Sequence, residues 1–290
     1  MDRYLCIDIG GTSIKYASFS GEGLKLIDTQ ELKTPSGELI LDALYHIIDP
    51  HLKGEALQGI AISSAGVVDP VSGTLVYAGP TIPNYTGTTL KASIEKRYGL
   101  PVAVENDVNA ALLGEYWKGA AKGSSSTFMF TVGTGIGGAF MIGDTLWHGS
   151  SLSAGEVGYL NLNGTHFQNE AASSIMVKEV SKTLNQDLDG AMIFKLAQEG
   201  QQDCIDAIDA LINKLSLGIS DIMYLLNPET VLLGGGIMHR EQYLKPLVNK
   251  AVDAVLIDPR FKSKTLAFAK CGNDAGMIGA LYHLLKSRKV

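Results

Sequence analysis

Apolar residues in this chain come in short runs that end in glycine, and between those runs they recur at helical spacing. Residues 4–9 (YLCIDI) are continuous enough for a buried strand; Gly10, Gly11 and Thr12 turn the chain, and residues 14–19 return as a second strand. The same strand, glycine-threonine turn and strand recur over residues 127–143 (TFMFTVGTGIGGAFMIG), so that Gly133, Thr134 and Gly135 answer Gly10, Gly11 and Thr12. This weak internal likeness predicts two related halves. Further strands are expected at 58–63 and 102–105, in TVLLG ahead of Gly235 and Gly236, and near 265–269. Helices are expected at 38–48, with Ser36 near the cap and Ile40, Leu44, Ile47 and Ile48 on one face, and at 89–98, stopped by Gly99. A longer one over 205–226 carries the stripe Ile208, Leu211, Leu215, Ile219 and Ile222. Two more are expected near 241–256 and over 275–286, the last capped by Asp274. Residues 67–73 (VVDPVSG) and 83–87 (PNYTG) read as turn-rich loops, and the region around 154–170 is rich in glycine and only weakly periodic.

The stretch 102–117 (VAVENDVNAALLGEYW) organises the rest. An apolar strand stops at Asn106 and Asp107, and Val108, Ala111, Leu112 and Glu115 follow at helical spacing. Asp107 therefore stands where a strand ends and a helix begins, which in open α/β sheets is the edge where ligands bind. Asp and Asn are also favoured helix caps. From this stretch alone Asp107 is either a cap or a carboxylate facing a ligand.

The 290 residues are enough for two domains and a sizeable core, and 46% hydrophobic against 19% charged residues excludes bulk disorder. A net charge of −6 with no basic tract argues against a nucleic-acid partner. Cys6, Cys204 and Cys271 are too scattered for a disulfide framework or a CxxC metal site, and Cys6 reads as a small core residue. No run reaches the roughly 18 apolar residues of a membrane span. The first residues lack the apolar centre of a signal peptide, so no membrane partner is expected and the expected location is cytoplasmic.

The turns at 10–12, 133–135 and 234–236 have almost no side chains, so their backbone N–H groups could lie close to a phosphate or a flat ligand. Asp8, at the end of the first strand, could hold Mg²⁺ through water; an ordinary glycine hairpin with an exposed Asp would look the same. GTGIGG is superficially a dinucleotide fingerprint, but that fingerprint opens a helix whereas a strand continues here, which excludes an NAD site. Glu156 (in AGEVGY) and Glu170 could accept hydrogen bonds from vicinal hydroxyls, or be surface charges. Asn84 could bond a polar ligand or simply form its turn.

Jointly, DIGGT, ENDVNAALLGE, GTGIGGA…AGEVG and LLGGGIM resemble the ROK family of sugar kinases and repressors, in the family's order and over nearly the whole chain. The resemblance implies an α/β protein with the two-domain actin-like fold, of the hexokinase and RNase H-like type, around a central cleft. Residues 1–118 would form the N-terminal domain, joined by the C-terminal helix within 273–290, and 119–272 the C-terminal domain. By the same resemblance Asp107 is the catalytic base and Asn106 a sugar-hydroxyl contact. Glu156 and Glu170 grip the sugar, and Gly66 and Asn84 lie in sugar-side loops, with Tyr159 where the family usually has His. Asp8, Gly10, Gly11 and Thr12 form the first phosphate and Mg²⁺ loop; Gly133, Thr134 and Gly135 form the second. Gly234 and Gly235 make the adenosine wall. In place of the family's CxCGxxGC zinc cluster stands LNLNGTHFQNE, whose lone potential ligand of the right type, His166, cannot build a four-ligand site; no structural zinc is expected.

The implied activity is transfer of the γ-phosphoryl group of ATP, with Mg²⁺, to a hexose hydroxyl, foremost the 6-hydroxyl. The shortened wall near Tyr159 favours glucose or a β-glucoside. An N-acetylmannosamine kinase is one alternative and a non-catalytic, sugar-binding regulator another. A DNA-binding repressor would need a helix-turn-helix ahead of the first strand, where only residues 1–3 stand, and none is expected. Likeness to the family suggests a homodimer.

Overall fold

The structure is a computed structural model that describes residues 2–53, 56–162 and 164–288. The chain divides into two compact units: Met1–Gly119, Gly149–Ser153 and Asn273–Val290 make the first, and Ala120–His148 and Ala154–Gly272 the second.

The first unit begins as an antiparallel meander of β1 (Arg3–Ile9), β2 (Ser13–Ser20) and β3 (Lys25–Lys33). Helix α1 (Ile40–His51) leads to β4 (Leu57–Ser64), a side hairpin of β5 (Val67–Asp69) and β6 (Thr74–Tyr77), and α2 (Leu90–Tyr98). Strand β7 (Val102–Asn106) then passes directly into α3 (Asp107–Lys118). The sheet order is β3-β2-β1-β4-β7, with β4 parallel to both β1 and β7. Alternation along β1 sets the two cores. Leu5, Ile7 and Ile9 pack with Ile40, Leu44 and Ile48 of α1 and Ile94 of α2 on one face. Tyr4 and Cys6 pack with Ala103 and Ala110 on the other. Cys6 is fully buried, and burial pushes its thiol up, so it is the inert core residue its apolar run suggests.

The second unit repeats the pattern. Its strands are β8 (Ser126–Val132), β9 (Ile136–Ile142), β10 (Thr145–Leu146) and a small pair, β11 (Asn161–Leu162) and β12 (Thr165–His166). Helices α4 (Gln168–Ala171), α5 (Ser173–Leu184), α6 (Gly190–Gln198) and α7 (Gln202–Leu226) follow, then β13 (Thr230–Gly234), α8 (Glu241–Val255) and β14 (Thr265–Phe268). The sheet order β10-β9-β8-β13-β14 again joins an antiparallel hairpin to parallel strands. The stripe of α7, from Ile208 to Ile222, is buried against Phe128, Phe130 and Leu233 of the sheet. The chain then returns to the first unit as α9 (Ala275–Ser287), which lies backbone to backbone on α3. A Cβ at Gly279 would collide with the Ala110 carbonyl, and one at Gly114 with that of Ala275, so these two glycines set the approach.

Several local expectations differ from what the chain does. Residues 67–77 form the β5–β6 hairpin rather than a plain loop, turned by Asp69, whose Oδ1 accepts the Val71 N–H at 2.9 Å. Strand β3 is exposed along almost its whole length, so its polar composition gives no burial pattern to read. Ser36 makes no cap bond: a 3₁₀ turn, Gly37–Leu39, precedes α1. Asp274 does not cap α9 through its side chain either; the carboxylate pairs with Lys25 at 2.6 Å instead. No helix among the described residues is long and apolar enough to cross a membrane.

Candidate active site

At the first unit's sheet edge, register aligns Asp8 with Ser63 and Ser64 with Asn106, at the C-terminal ends of β1, β4 and β7. Ser63 Oγ donates to Asp8 Oδ1 at 2.6 Å. Burial raises the Asp8 carboxyl above its ordinary range, opposed by this bond and by the charge of Lys15. Gly276, in the first turn of α9, lies over the pair; a Cβ there would stand 2.8 Å from Ser63 Oγ and 3.2 Å from Asp8 Oδ1. The adjoining glycine turn is fixed by its other groups. Gly10 N–H donates to Ser13 O at 3.0 Å, and Thr34 donates through Oγ1 to Gly10 O (2.6 Å) and through its N–H to Thr12 O (3.0 Å). The N–H groups of Gly11 and Thr12 find no acceptor among the described residues.

Two neighbours compete to cap α3, and Asn106 is the cap. Its Oδ1 accepts the N–H groups of Val108 and Asn109, both at 3.0 Å. Its Nδ2 donates to Gly66 O at 3.0 Å and to Asp107 Oδ1 at 2.8 Å, so both amide hydrogens are engaged inside the unit. Asp107 is thereby the first residue of the helix, where the helix dipole favours a carboxylate, and its Oδ1 also accepts the Val108 N–H at 2.9 Å. Beneath it the fully buried Glu105 accepts the Asn106 N–H at 2.8 Å. Gly66 sits at φ 101°, and a Cβ there would stand 2.7 Å from the Tyr77 carbonyl. Asn84 adopts φ 60°, and its side chain holds the Glu38 carboxyl below the usual range by hydrogen bonding. The following residue, Tyr85, is buried and shares a 2.9 Å hydrogen bond with Ser64, tying this loop to the end of β4. The first unit thus brings Asp8, Gly66, Asn106 and Asp107 to one sheet edge and anchors Asn84's loop there.

The second unit gathers its own set. In the β8–β9 turn, Gly133 N–H donates to Gly135 O at 2.9 Å, while Ser173 and Ser174 donate to Gly133 O and Thr134 O. Gly133, Thr134, Ser174, Lys178, Asp189 and Arg240 are among the residues around a cavity of about 760 Å³, a volume suited to a small-molecule ligand. Gly234 ends β13 and Gly235 follows it. Gly235, at φ 108°, leaves no room for a Cβ against the Val132 carbonyl, and Gly236, one position on, lines the cavity. Glu156 has an exposed side chain, yet the protein around it desolvates the carboxyl enough to raise it. Glu170 pairs with Lys214 at 2.8 Å. Tyr159 is 55% exposed and meets His166 edge-on at 5.6 Å. Gln168 touches both loops: a Cβ at Gly135 would lie 2.8 Å from its Oε1, and one at Gly158 3.0 Å.

Sequence reasoning missed Ser63, Gly276, Ser173, Ser174, Lys178, Gln168, Lys214 and Arg240. The serine pair at the start of a helix is the one signal that spacing could have flagged, since Ser is rarely neutral there. Among the described residues no group of three His, Cys, Asp or Glu is placed to hold a metal ion.

Two mixed sheets of one strand pattern, each carrying a glycine hairpin turn, define a protein of the actin-like α/β fold. Residues 4–287 match the ROK family, and the chain belongs to it. An uncharacterised protein of Clostridium perfringens is 43% identical over 98% of both chains. The beta-glucoside kinase of Klebsiella pneumoniae is 32% identical over 97% of this chain and 95% of its own. The crystal structure of a ROK family glucokinase from Streptomyces griseus in complex with glucose and AMPPNP is similar with a TM-score of 0.84 at 28% identity, covering 97% of this chain and 98% of that one.

Proposed function

We propose that this protein is a kinase that transfers the γ-phosphoryl group of ATP to a hexose, with glucose or a β-glucoside as acceptor and the 6-hydroxyl as nucleophile. The observation that carries this reading is the fixed carboxylate of Asp107, at the start of α3 and at the C-terminal edge of parallel strands. Asp107 accepts the proton of the attacking hydroxyl as the new O–P bond forms and the bond to the ADP oxygen breaks. A positioned base of this kind contributes about 10²–10⁴ in rate. Two N–H donors on Oδ1 fix the orientation of this carboxylate, and phosphoryl transfer asks for positioning more than for charge on the nucleophile before the leaving group has largely departed.

The bare N–H groups of Gly11, Thr12, Thr134 and Gly135 donate to phosphate oxygens, which need positioned donors more than covalent help. Gly10 and Gly133 keep those turns free of side chains, and Gly234 and Gly235 bring the backbone close to the nucleoside. Asp8 fits a hydrated Mg²⁺: it is a half-buried carboxylate whose burial disfavours its charge, and Mg²⁺ retains most of its water when bound by one or two carboxylates. Magnesium supplies neutralisation of phosphate charge when bound. Glu156 and Glu170 accept hydrogen bonds from sugar hydroxyls; in the first unit the loops of Gly66 and Asn84 are the candidates for sugar contact. Tyr159 offers an exposed ring suited to stacking on a sugar or an aglycone. Likeness to a beta-glucoside kinase along nearly the whole chain supports this choice of acceptor. A cytoplasmic homodimer belongs to the same reading.

The test is ADP release with glucose, cellobiose, mannose and N-acetylmannosamine, each with Mg²⁺ and ATP. Glucose or cellobiose should turn over fastest. Turnover confined to N-acetylmannosamine would overturn the acceptor, and none with any sugar would overturn the kinase.

A further inference from the structure

Two hydroxyls that a helix would ordinarily use for its own cap are turned onto the 133–135 turn. Helix α5 starts behind Ala172, which makes no side-chain cap bond. Ala is among the poorest caps and Ser among the best, yet the serines stand one and two places inside. Ser173 Oγ donates to Gly133 O at 2.8 Å, and Ser174 Oγ to Thr134 O at 2.6 Å. The Ser174 N–H adds a longer contact to Gly133 O at 3.4 Å.

In a planar trans peptide the C=O of one residue and the N–H of the next point in opposite directions. Holding Gly133 O towards α5 therefore aims Thr134 N–H away from it, and holding Thr134 O does the same for Gly135 N–H. Gly133 N–H is closed within the turn, on Gly135 O at 2.9 Å, while the other two N–H groups find no acceptor among the described residues. Glycine peptides flip readily because both signs of φ are open to them. A flip here would put a carbonyl where a phosphate needs a donor. Gly133, Thr134, Ser173 and Ser174 all line one cavity.

We infer that Ser173 and Ser174 are positioning residues: their hydroxyls lock this turn in the peptide orientation that presents Thr134 N–H and Gly135 N–H to the phosphates of the nucleotide. The inference rests on the proposal that the turn binds phosphate.

The test compares full-length wild type, Ser173→Ala/Ser174→Ala and Ser173→Thr/Ser174→Thr by calorimetric binding of ATP and of adenosine, with melting temperatures alongside. The double alanine variant should lose roughly 5- to 30-fold in ATP affinity, the loss expected for one or two hydrogen bonds. Its adenosine affinity should hold and its melting temperature should fall by no more than a few degrees, its KM for ATP should rise while that for the sugar stays, and the threonine pair should recover most of the loss. Unchanged ATP affinity, an equal fall for ATP and adenosine, or a loss that follows melting temperature without rescue by threonine would overturn the inference. Wild type binding adenosine as tightly as ATP would instead defeat the phosphate-turn reading itself, so the two failures are told apart by different proteins.

Discussion

Substitution of Asn106 separates a helix cap from a tether on the proposed base. Asn106→Ala removes two accepted N–H groups of the α3 cap and two donated hydrogen bonds, one of them to the Asp107 carboxylate. A lost cap costs about 0.5–2 kcal/mol, and a lost bond to a charged group about 1.5–3 kcal/mol, nearer the lower end here because water reaches this half-buried site. The sum is about 2–4 kcal/mol, and calorimetric melting should fall by roughly 5–15 °C at the few degrees per kcal/mol typical of domains this size. Asn106→Ser keeps a good cap and loses the tether, so it should recover much of that stability. If Asn106 works by holding Asp107, steady-state assays of Asn106→Ser should show a lower kcat and little change in the sugar KM. A raised sugar KM with kcat intact would mean that Asn106 grips the sugar itself, as the family resemblance implies. Wild-type stability in Asn106→Ala would refute the cap and tether together.

Glu156 carries a pH signature. Desolvation by the surrounding protein raises its folded carboxyl, so the folded state favours the protonated form, and stability from this group declines as pH rises from the ordinary glutamate range through the raised value. Glu156→Gln should flatten that decline in melting temperature against pH while raising the sugar KM near neutrality; a steeper decline would contradict the sign. Gly235→Ala should destabilise by more than about 2 kcal/mol, because φ 108° and the Val132 carbonyl both oppose a Cβ. Gly133→Ala, whose Cβ would meet nothing within 4 Å, should melt near wild type and weaken ATP binding. Lys214→Met should shift stability by less than about 1 kcal/mol, since its pair with Glu170 is a third exposed, and should raise the sugar KM.

What could be read from residue order is what burial and backbone geometry write locally. Strands β1, β4 and β13 are buried almost throughout, so their apolar runs declare them, and the α7 stripe does the same at helical period. The glycine turns were visible because positions such as Gly235 tolerate no side chain. Strand β3, an exposed edge, has no buried face to reveal it, and α5 buries only Met176 and Val180, too few for a clear period. Asn106 and Asp107 are equal as cap formers. Strand register decides between them, because pairing with β4 ends at Ser64 and Asn106, and that is a tertiary fact. The same holds for what steadies the second turn: Ser173 lies forty positions from Gly133, and no spacing rule connects them.

Turnover of Asp107→Asn is the most direct measurement of the proposed chemistry. Asparagine is isosteric and can keep the contacts of Oδ1 with Asn106 Nδ2 and the Val108 N–H, so fold, ATP binding and sugar binding should persist. With the base gone, kcat should fall by about 10²–10⁴. A variant that folds, binds both substrates and turns over at nearly the wild-type rate would contradict the assignment of Asp107 as the base.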